Sequence, residues 1–343
     1  MRTLLMIEPS KGPDQTLVQD IQEPLPGPGQ VSIDVAWAGI NFIDVMARRG
    51  DPGYVPSWPF APGYEVAGTI RAIGDGVTGF PVGTRVAAFT FGGGLAEIAV
   101  AQASLVAPLP DAVPFQSAAA APLMLTTALL LLTDAARLRP GERLLMHSAS
   151  GGVGSAVARL APILGGGLRV GTVGRQAKVE SALRDGWDAA ITRGEGLAAA
   201  LRAAAGGPVD VILDPTGTGL LATDLDLIAP GGRIVLFGNA GGGEFAPLPP
   251  LGRLIGGNIS IGGFSIRRLA EAAPERVATA LRRVLGLLGE GKLHVAVTEV
   301  PSLDDIPAAH DLLAAGRSSG KYVVACQKNS PTLAPRGRVS RSP

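Results

Sequence analysis

The sequence predicts an α/β protein of two domains, one β-rich and the other a doubly wound parallel sheet, and three observations carry that reading. Residues 1 to about 115 hold short segments of alternating polarity set apart by glycine and proline. From Gln116 onward strand-like runs alternate with Ala- and Leu-rich helical ones, the pattern of a parallel sheet wrapped by helices. Residues 144–164 place a strand, a glycine turn and a helix in immediate succession.

A chain of 343 residues accommodates about two domains of ~150 residues. In the first, Val31–Ala36, Glu65–Ile73 and Val86–Phe89 read as half-buried strands. Clusters at Pro24–Gly29, Asp51–Pro62 and Gly92–Gly94 mark turns, and the middle one is long enough for a mobile flap. In the second, strands are expected at Arg143–Ala149, Arg169–Val173, Val209–Asp214, Arg233–Gly238 and Ile259–Phe264, with helices near 152–164, 178–185, 196–205 and 219–228. Pro162 removes a hydrogen bond within the first of these helices, so a kink or early stop is expected there. After Arg267 come a helix to about Gly289, an alternating segment His294–Val300, a short helix Asp304–Ala315 and a strand Lys321–Ala325, a return toward the first domain. Residues 1–120 and 270–328 then form the first domain and 121–269 the second, while the tail 329–343, without hydrophobic periodicity, reads as disordered.

Composition narrows the function classes. Thirty Lys and Arg against 29 Asp and Glu give a formal net charge of +1, which provides no field to recruit nucleic acid or an anionic membrane. Cys326 is the sole cysteine, which excludes an intramolecular disulfide and a cysteine-built zinc site. The longest apolar stretch, Ala118–Leu132, contains Pro122, Thr126 and Thr127 and falls short of the ~20 residues of a membrane span. The apolar run Leu4–Ile7 is too short for the core of a secretion signal. A soluble protein of the reducing cytoplasm is expected.

Leu144-Leu145-Met146 leads into His147-Ser148-Ala149-Ser150-Gly151-Gly152-Val153-Gly154, then into a helix with Val157, Leu160, Ala161 and Leu164 on one face. This context gives the glycine spacing its meaning as a dinucleotide fingerprint, with Ala149 in place of the first glycine. Ser150, Gly151, Gly152 and Val153 present backbone to a pyrophosphate, and Gly154 lets helix approach strand. An NAD site places a carboxylate about 20 residues further on to hold the ribose. Here that position holds Gly174 and Arg175, followed by Lys178, and Arg193 follows the third strand. Cations in place of a carboxylate suit a 2′-phosphate, hence NADPH.

With these residues in hand, the chain resembles the zinc-independent medium-chain dehydrogenase/reductases, most of all the NADPH:quinone oxidoreductases. The likeness spans about residues 1 to 326 through Gly39-Ile40-Asn41-Phe42-Ile43-Asp44, Pro62-Gly63-Tyr64-Glu65, Leu125-Thr126-Thr127, the glycine turn, Phe237-Gly238-Asn239 and Gly320-Lys321. It implies a GroES-like β-rich catalytic domain built from both chain ends and a Rossmann domain between them. It places Asn41 near the nicotinamide and the acceptor oxygen, Thr127 at the carboxamide, and Phe237, Gly238 and Asn239 beneath the cofactor. It also implies a homodimer formed through the edge strand Ile259–Phe264. Zinc-dependent relatives have Cys where this chain has Asn41 and His where it has Tyr64, so the first ligands are replaced by residues that bind zinc poorly. His147 reads as a support for the cofactor turn, His294 and His310 as ordinary strand and helix positions.

Without a Lewis acid the acceptor must take up hydride through its own conjugation, as a quinone or enone does. Tyr54, in the loop after Asn41, is a candidate donor to the reduced oxygen or an aromatic lid; Tyr64 faces the cleft or packs in the core. Asp44 with Arg48 or Arg49 reads as a local ion pair. The expected function is NADPH-dependent reduction of a small quinone or α,β-unsaturated carbonyl compound. An enoyl-thioester reductase and a non-catalytic NADPH-binding protein are the alternatives.

Overall fold

The computed structural model describes residues 1–327; the tail expectation at 329–343 lies outside them. An antiparallel ribbon of β1 (Arg2–Met6) and β2 (Thr16–Asp20) precedes a sheet built from β3 (Gln30–Ile40), β4 (Glu65–Ile73), β5 (Arg85–Phe89), β6 (Ile98–Gln102) and β7 (Val106–Pro108). The inserted parallel sheet comprises β8 (Leu144–Met146), β9 (Arg169–Val173), β10 (Ala189–Thr192), β11 (Val209–Asp214), β12 (Ile228–Leu236) and β13 (Ser260–Gly263). The chain then returns through β14 (Val297–Val300) and β15 (Lys321–Ala325).

The long β3 explains the return. Its first half pairs with β6 and its second half with β15, antiparallel, in the register Tyr322↔Ile40. The resulting order is β14-β15-β3-β4-β5-β7, with β6 beside β3. The inserted sheet runs β10-β9-β8-β11-β12-β13, all parallel. This is the doubly wound Rossmann order. The direction of winding reverses between β8 and β11, which opens a crevice at their carboxyl ends.

Several elements depart from the sequence reading. β8 stops at Met146 because Ser148 turns into the left-handed region with φ 60°. The following helix, Gly152–Ile163, ends one residue after Pro162, where Gly165 and Gly166 N–H groups close onto the carbonyls of Pro162 and Ala161. The helix expected from Arg267 to Gly289 is two, Ile266–Ala272 and Pro274–Gly289, because Pro274 excludes Ala273 from helical geometry (φ −147°). His294 is exposed and lies outside β14. A helix absent from the sequence reading, Phe42–Arg49, follows Asn41 and ends at Gly50 (φ 75°).

Residues 115–135 form a nearly unbroken helical segment whose α-helical middle, Thr126–Leu130, is flanked by wider π turns at Ala121–Leu125 and Leu131–Ala135. Its leucines and alanines join Val277, Leu281 and Val284 of the helix Pro274–Gly289 in an apolar cluster that also takes in Phe89 and Val157, so one core continues through both domains. Among the described residues no helix is long and apolar enough to cross a membrane.

Candidate functional site

A cleft of about 910 Å³ lies between the domains at the carboxyl ends of β8 and β11. Its floor is the glycine turn. A Cβ on Gly154 would sit 2.3 Å from Ala149 O, so only glycine lets the helix Gly152–Ile163 start so close to the strand end. The left-handed residue is Ser148, a role the sequence reading did not assign. Ser150, Gly151, Gly152 and Val153 line the cleft at that helix's N-terminus, where unpaired N–H groups favour an anion.

At the end of β9 three cations gather. Arg175, Lys178 and Arg193 line the cleft beside Gly174, and none of them forms a salt bridge among the described residues. Burial, and then the charges of Arg175 and Arg193, hold the Lys178 ammonium below its usual pKa; burial does the same to the Arg193 guanidinium. Arg193 donates to Ser148 Oγ at 3.2 Å, which ties this corner to the glycine turn. Across the cleft, Phe237, Gly238 and Asn239 follow β12, and Asn239 Nδ2 donates to Gly243 O at 2.9 Å. Thr127 also lines the cleft; its buried Oγ1 finds no hydrogen-bond partner among the described residues.

The catalytic-domain wall centres on Asn41. Its Nδ2 donates to Glu65 Oε1 at 2.9 Å and Gly39 O at 3.2 Å, and its Oδ1 accepts from Lys321 Nζ at 2.6 Å. Lys321 also donates to Glu65 Oε1 and to Ile40 O. Lys321 entered the sequence reading only within the Gly320-Lys321 motif, with no role assigned; the further signal was a lysine opening the otherwise apolar strand Lys321–Ala325.

The two tyrosines expected at the chemistry do not line this cleft. Tyr64 is fully buried, edge-on to Phe91 at 6.4 Å, and its hydroxyl lacks a partner among the described residues. Adjacent extended residues point to opposite sides, so with Glu65 turned to Asn41 and Lys321 the neighbouring phenol enters the core. Tyr54 is half-buried in the loop after Arg49, and burial raises its phenol above the usual range.

The expected Asp44–Arg ion pair is also absent. Asp44 accepts from the N–H groups of Asn41 (2.8 Å) and Gly63 (3.2 Å), which hold it at the helix N-terminus, while Arg48 reaches Asp311 at 2.8 Å and Arg49 pairs with Asp51.

Behind the glycine turn, His147, Asp214 and Asp224 bring donor atoms within 4.8 Å of one another, all buried. The imidazole there bridges Thr172 Oγ1 (2.9 Å) and Asp224 Oδ1 (2.7 Å), a buttress beneath the turn rather than part of the cleft wall.

Comparison with known proteins agrees with the fold. A family profile described as alcohol dehydrogenase GroES-like domain matches residues 27–111, and one described as zinc-binding dehydrogenase matches 186–324. A quinone oxidoreductase of Pseudomonas aeruginosa is 33% identical over 322 residues, covering 91% of this chain and 96% of that protein. A component of the pikromycin polyketide synthase of Streptomyces venezuelae is 34% identical over 328 residues, 92% of this chain but 8% of that protein. The crystal structure of Escherichia coli quinone oxidoreductase complexed with NADPH superposes with a TM-score of 0.86 at 28% identity, covering 95% of this chain and all of that one (100%).

Proposed function

The chain belongs to the quinone oxidoreductase family of the medium-chain dehydrogenase/reductases, and from that premise we propose that it transfers a hydride from NADPH to a quinone or related α,β-unsaturated carbonyl compound without a metal. The observation that carries the cofactor reading is the trio Arg175, Lys178 and Arg193: three cations in one corner of the cleft, without salt-bridge partners among the described residues, suit a 2′-phosphate. Ser150–Val153 and the helix N-terminus fit the pyrophosphate, and the unpartnered Thr127 Oγ1 fits the carboxamide. Bound there, NADPH would supply the hydride, which carries both electrons of the reduction.

The chain's own part is orientation and exclusion of water. Phe42, Ile43, Met46, Leu123, Met124 and Ile266 give the cleft an apolar wall that suits a flat conjugated acceptor. A zinc ion does not fit this donor set. Asn41 and Glu65 are both tied to the Lys321 ammonium, which already places a positive charge between them, and Tyr64 packs in the core. The exposed Phe245, Leu248, Leu251 and Ile255 on the segment leading to the edge strand β13 support a homodimer through that edge.

A second reading, enoyl-thioester reduction, is favoured by the polyketide synthase relative. Stopped-flow oxidation of NADPH with benzoquinone, naphthoquinone, a 2-alkenal and crotonyl-CoA separates the two. Turnover with the quinones or the 2-alkenal is the expected result; turnover with crotonyl-CoA alone moves the assignment to the second reading, and no turnover with any acceptor contradicts both.

A further inference from the structure

Lys321 is 3% exposed, and its ammonium is spent as a donor on Ile40 O (3.1 Å), Asn41 Oδ1 (2.6 Å) and Glu65 Oε1. Three protons meet three acceptors, so no proton is left over for a substrate. Glu65 is equally committed: Oε1 takes Lys321 and Asn41 Nδ2, and Oε2 takes the Leu123 N–H at 2.6 Å. An ammonium only donates and a carboxylate only accepts, so the two together admit one of the two flips of the Asn41 amide. Both Nδ2 hydrogens then point at Glu65 and Gly39, so Asn41 keeps no proton for the cleft, and its one acceptor atom is Oδ1, which takes Lys321 and closes a capping box with the Asp44 N–H.

We propose that Lys321, with Glu65, is a positioning residue that locks the Asn41 amide so that it offers the cleft an acceptor and not a donor. Resting on the NADPH reading above, this assigns Asn41 to an O–H or N–H of the cofactor's nicotinamide ribose or carboxamide, and not to the acceptor oxygen that gains charge. The lock is joined to the cofactor floor: Gly320, the residue before Lys321, donates its N–H to Ser150 O at 2.9 Å and bridges to Gly151. One two-residue segment thus sets both the glycine turn and the polarity of Asn41.

Two measurements test this on the full chain. The first needs no activity. The four asparagines allow selective ¹⁵N labelling, with the Asn41 side-chain amide identified by its loss in Asn41→Asp. Its solvent exchange is slow in the wild type and at least about tenfold faster in Lys321→Met/Glu65→Gln, which removes both buried charges together. Unchanged exchange in a folded variant overturns the lock.

The second is single-turnover hydride transfer. The same double variant slows it by about tenfold, yet changes it less than about twofold in an Asn41→Ala background. Equal losses in both backgrounds overturn a role exerted through Asn41. Should the double variant not fold, Lys321→Gln/Glu65→Gln reads the same two quantities, since both amides can donate as well as accept and so free the flip. A wild type that does not oxidise NADPH contradicts the proposed function, and the exchange measurement still decides the lock.

Discussion

The guanidinium of Arg175 donates at 2.9 Å to the carbonyl of Ala315, 140 positions along the chain, which caps the helix Ile306–Ala314. A cation of the nucleotide domain thus rests on the catalytic domain beside Lys178, at the mouth of the cleft. A 2′-phosphate bound there relieves the crowding of like charges. Replacing Arg175 and Lys178 together by Ala should weaken NADPH binding by about 1.5–3 kcal/mol, ten- to hundredfold, and leave NADH nearly unaffected. Fluorescence titration with both nucleotides checks this; equal losses for the two contradict it.

Thr127 buries a hydroxyl with no partner among the described residues, a cost the cofactor can remove. Thr127→Val keeps the shape and deletes the orphaned group. The melting temperature of the free protein should hold or rise, while NADPH affinity falls by ~1 kcal/mol, about fivefold. An unchanged affinity places the carboxamide elsewhere.

Two neighbouring glycines should respond differently. A methyl on Gly154 meets backbone, Ala149 O at 2.3 Å and Ala149 C at 2.6 Å, whereas one on Gly152 meets the movable Met124 Sδ at 3.2 Å. Gly154→Ala should destabilise the fold by about 1–3 kcal/mol and impair nucleotide binding, and Gly152→Ala should be much milder in denaturation. Similar midpoints for the two variants would argue against the close approach of helix to strand.

His310 is fully buried with neither ring nitrogen hydrogen-bonded among the described residues, its Nε2 3.9 Å from Asp44 Oδ2, and burial, then the charge of Arg48, depresses its pKa to about 3. Between that value and the unfolded 6.5 only the unfolded chain takes up the proton, so stability is fully present above 6.5 and declines as pH falls. The slope is at most ~1.4 kcal/mol per pH unit. Asp44, raised to about 7 chiefly by burial, acts with the opposite sign, its contribution declining as pH rises from 3.8. Comparing wild type with His310→Leu isolates the histidine: denaturation at pH 8 and pH 5 should show a smaller acid loss in the variant, and identical losses refute the assignment.

The glycine turn and the cations after it were legible because each is local: strand, turn and helix are contiguous, and Arg175 and Lys178 fall at a fixed distance from Gly154. Alternation likewise marked β4 to its ends, and the succession of strand-like and helical runs did so for β9. The helical run at 115–135 was silent because it is buried almost all round, which erases the one-sided periodicity that reveals a helix. The role of Lys321 was silent for another reason. Its partners Asn41 and Glu65 lie 280 and 256 positions away, and only the antiparallel pairing of β15 with β3 brings them together. Asp44 and Arg48 had the right spacing for an ion pair, but backbone N–H groups claimed the carboxylate and Asp311 the guanidinium.

The most direct test of the account is stopped-flow absorbance of chelator-treated protein mixed with NADPH and benzoquinone. The account predicts NADPH oxidation at the same rate before and after chelation, with NADH a poorer donor. Activity that vanishes on chelation and returns only with added zinc, or a protein that binds no NADPH, would contradict it.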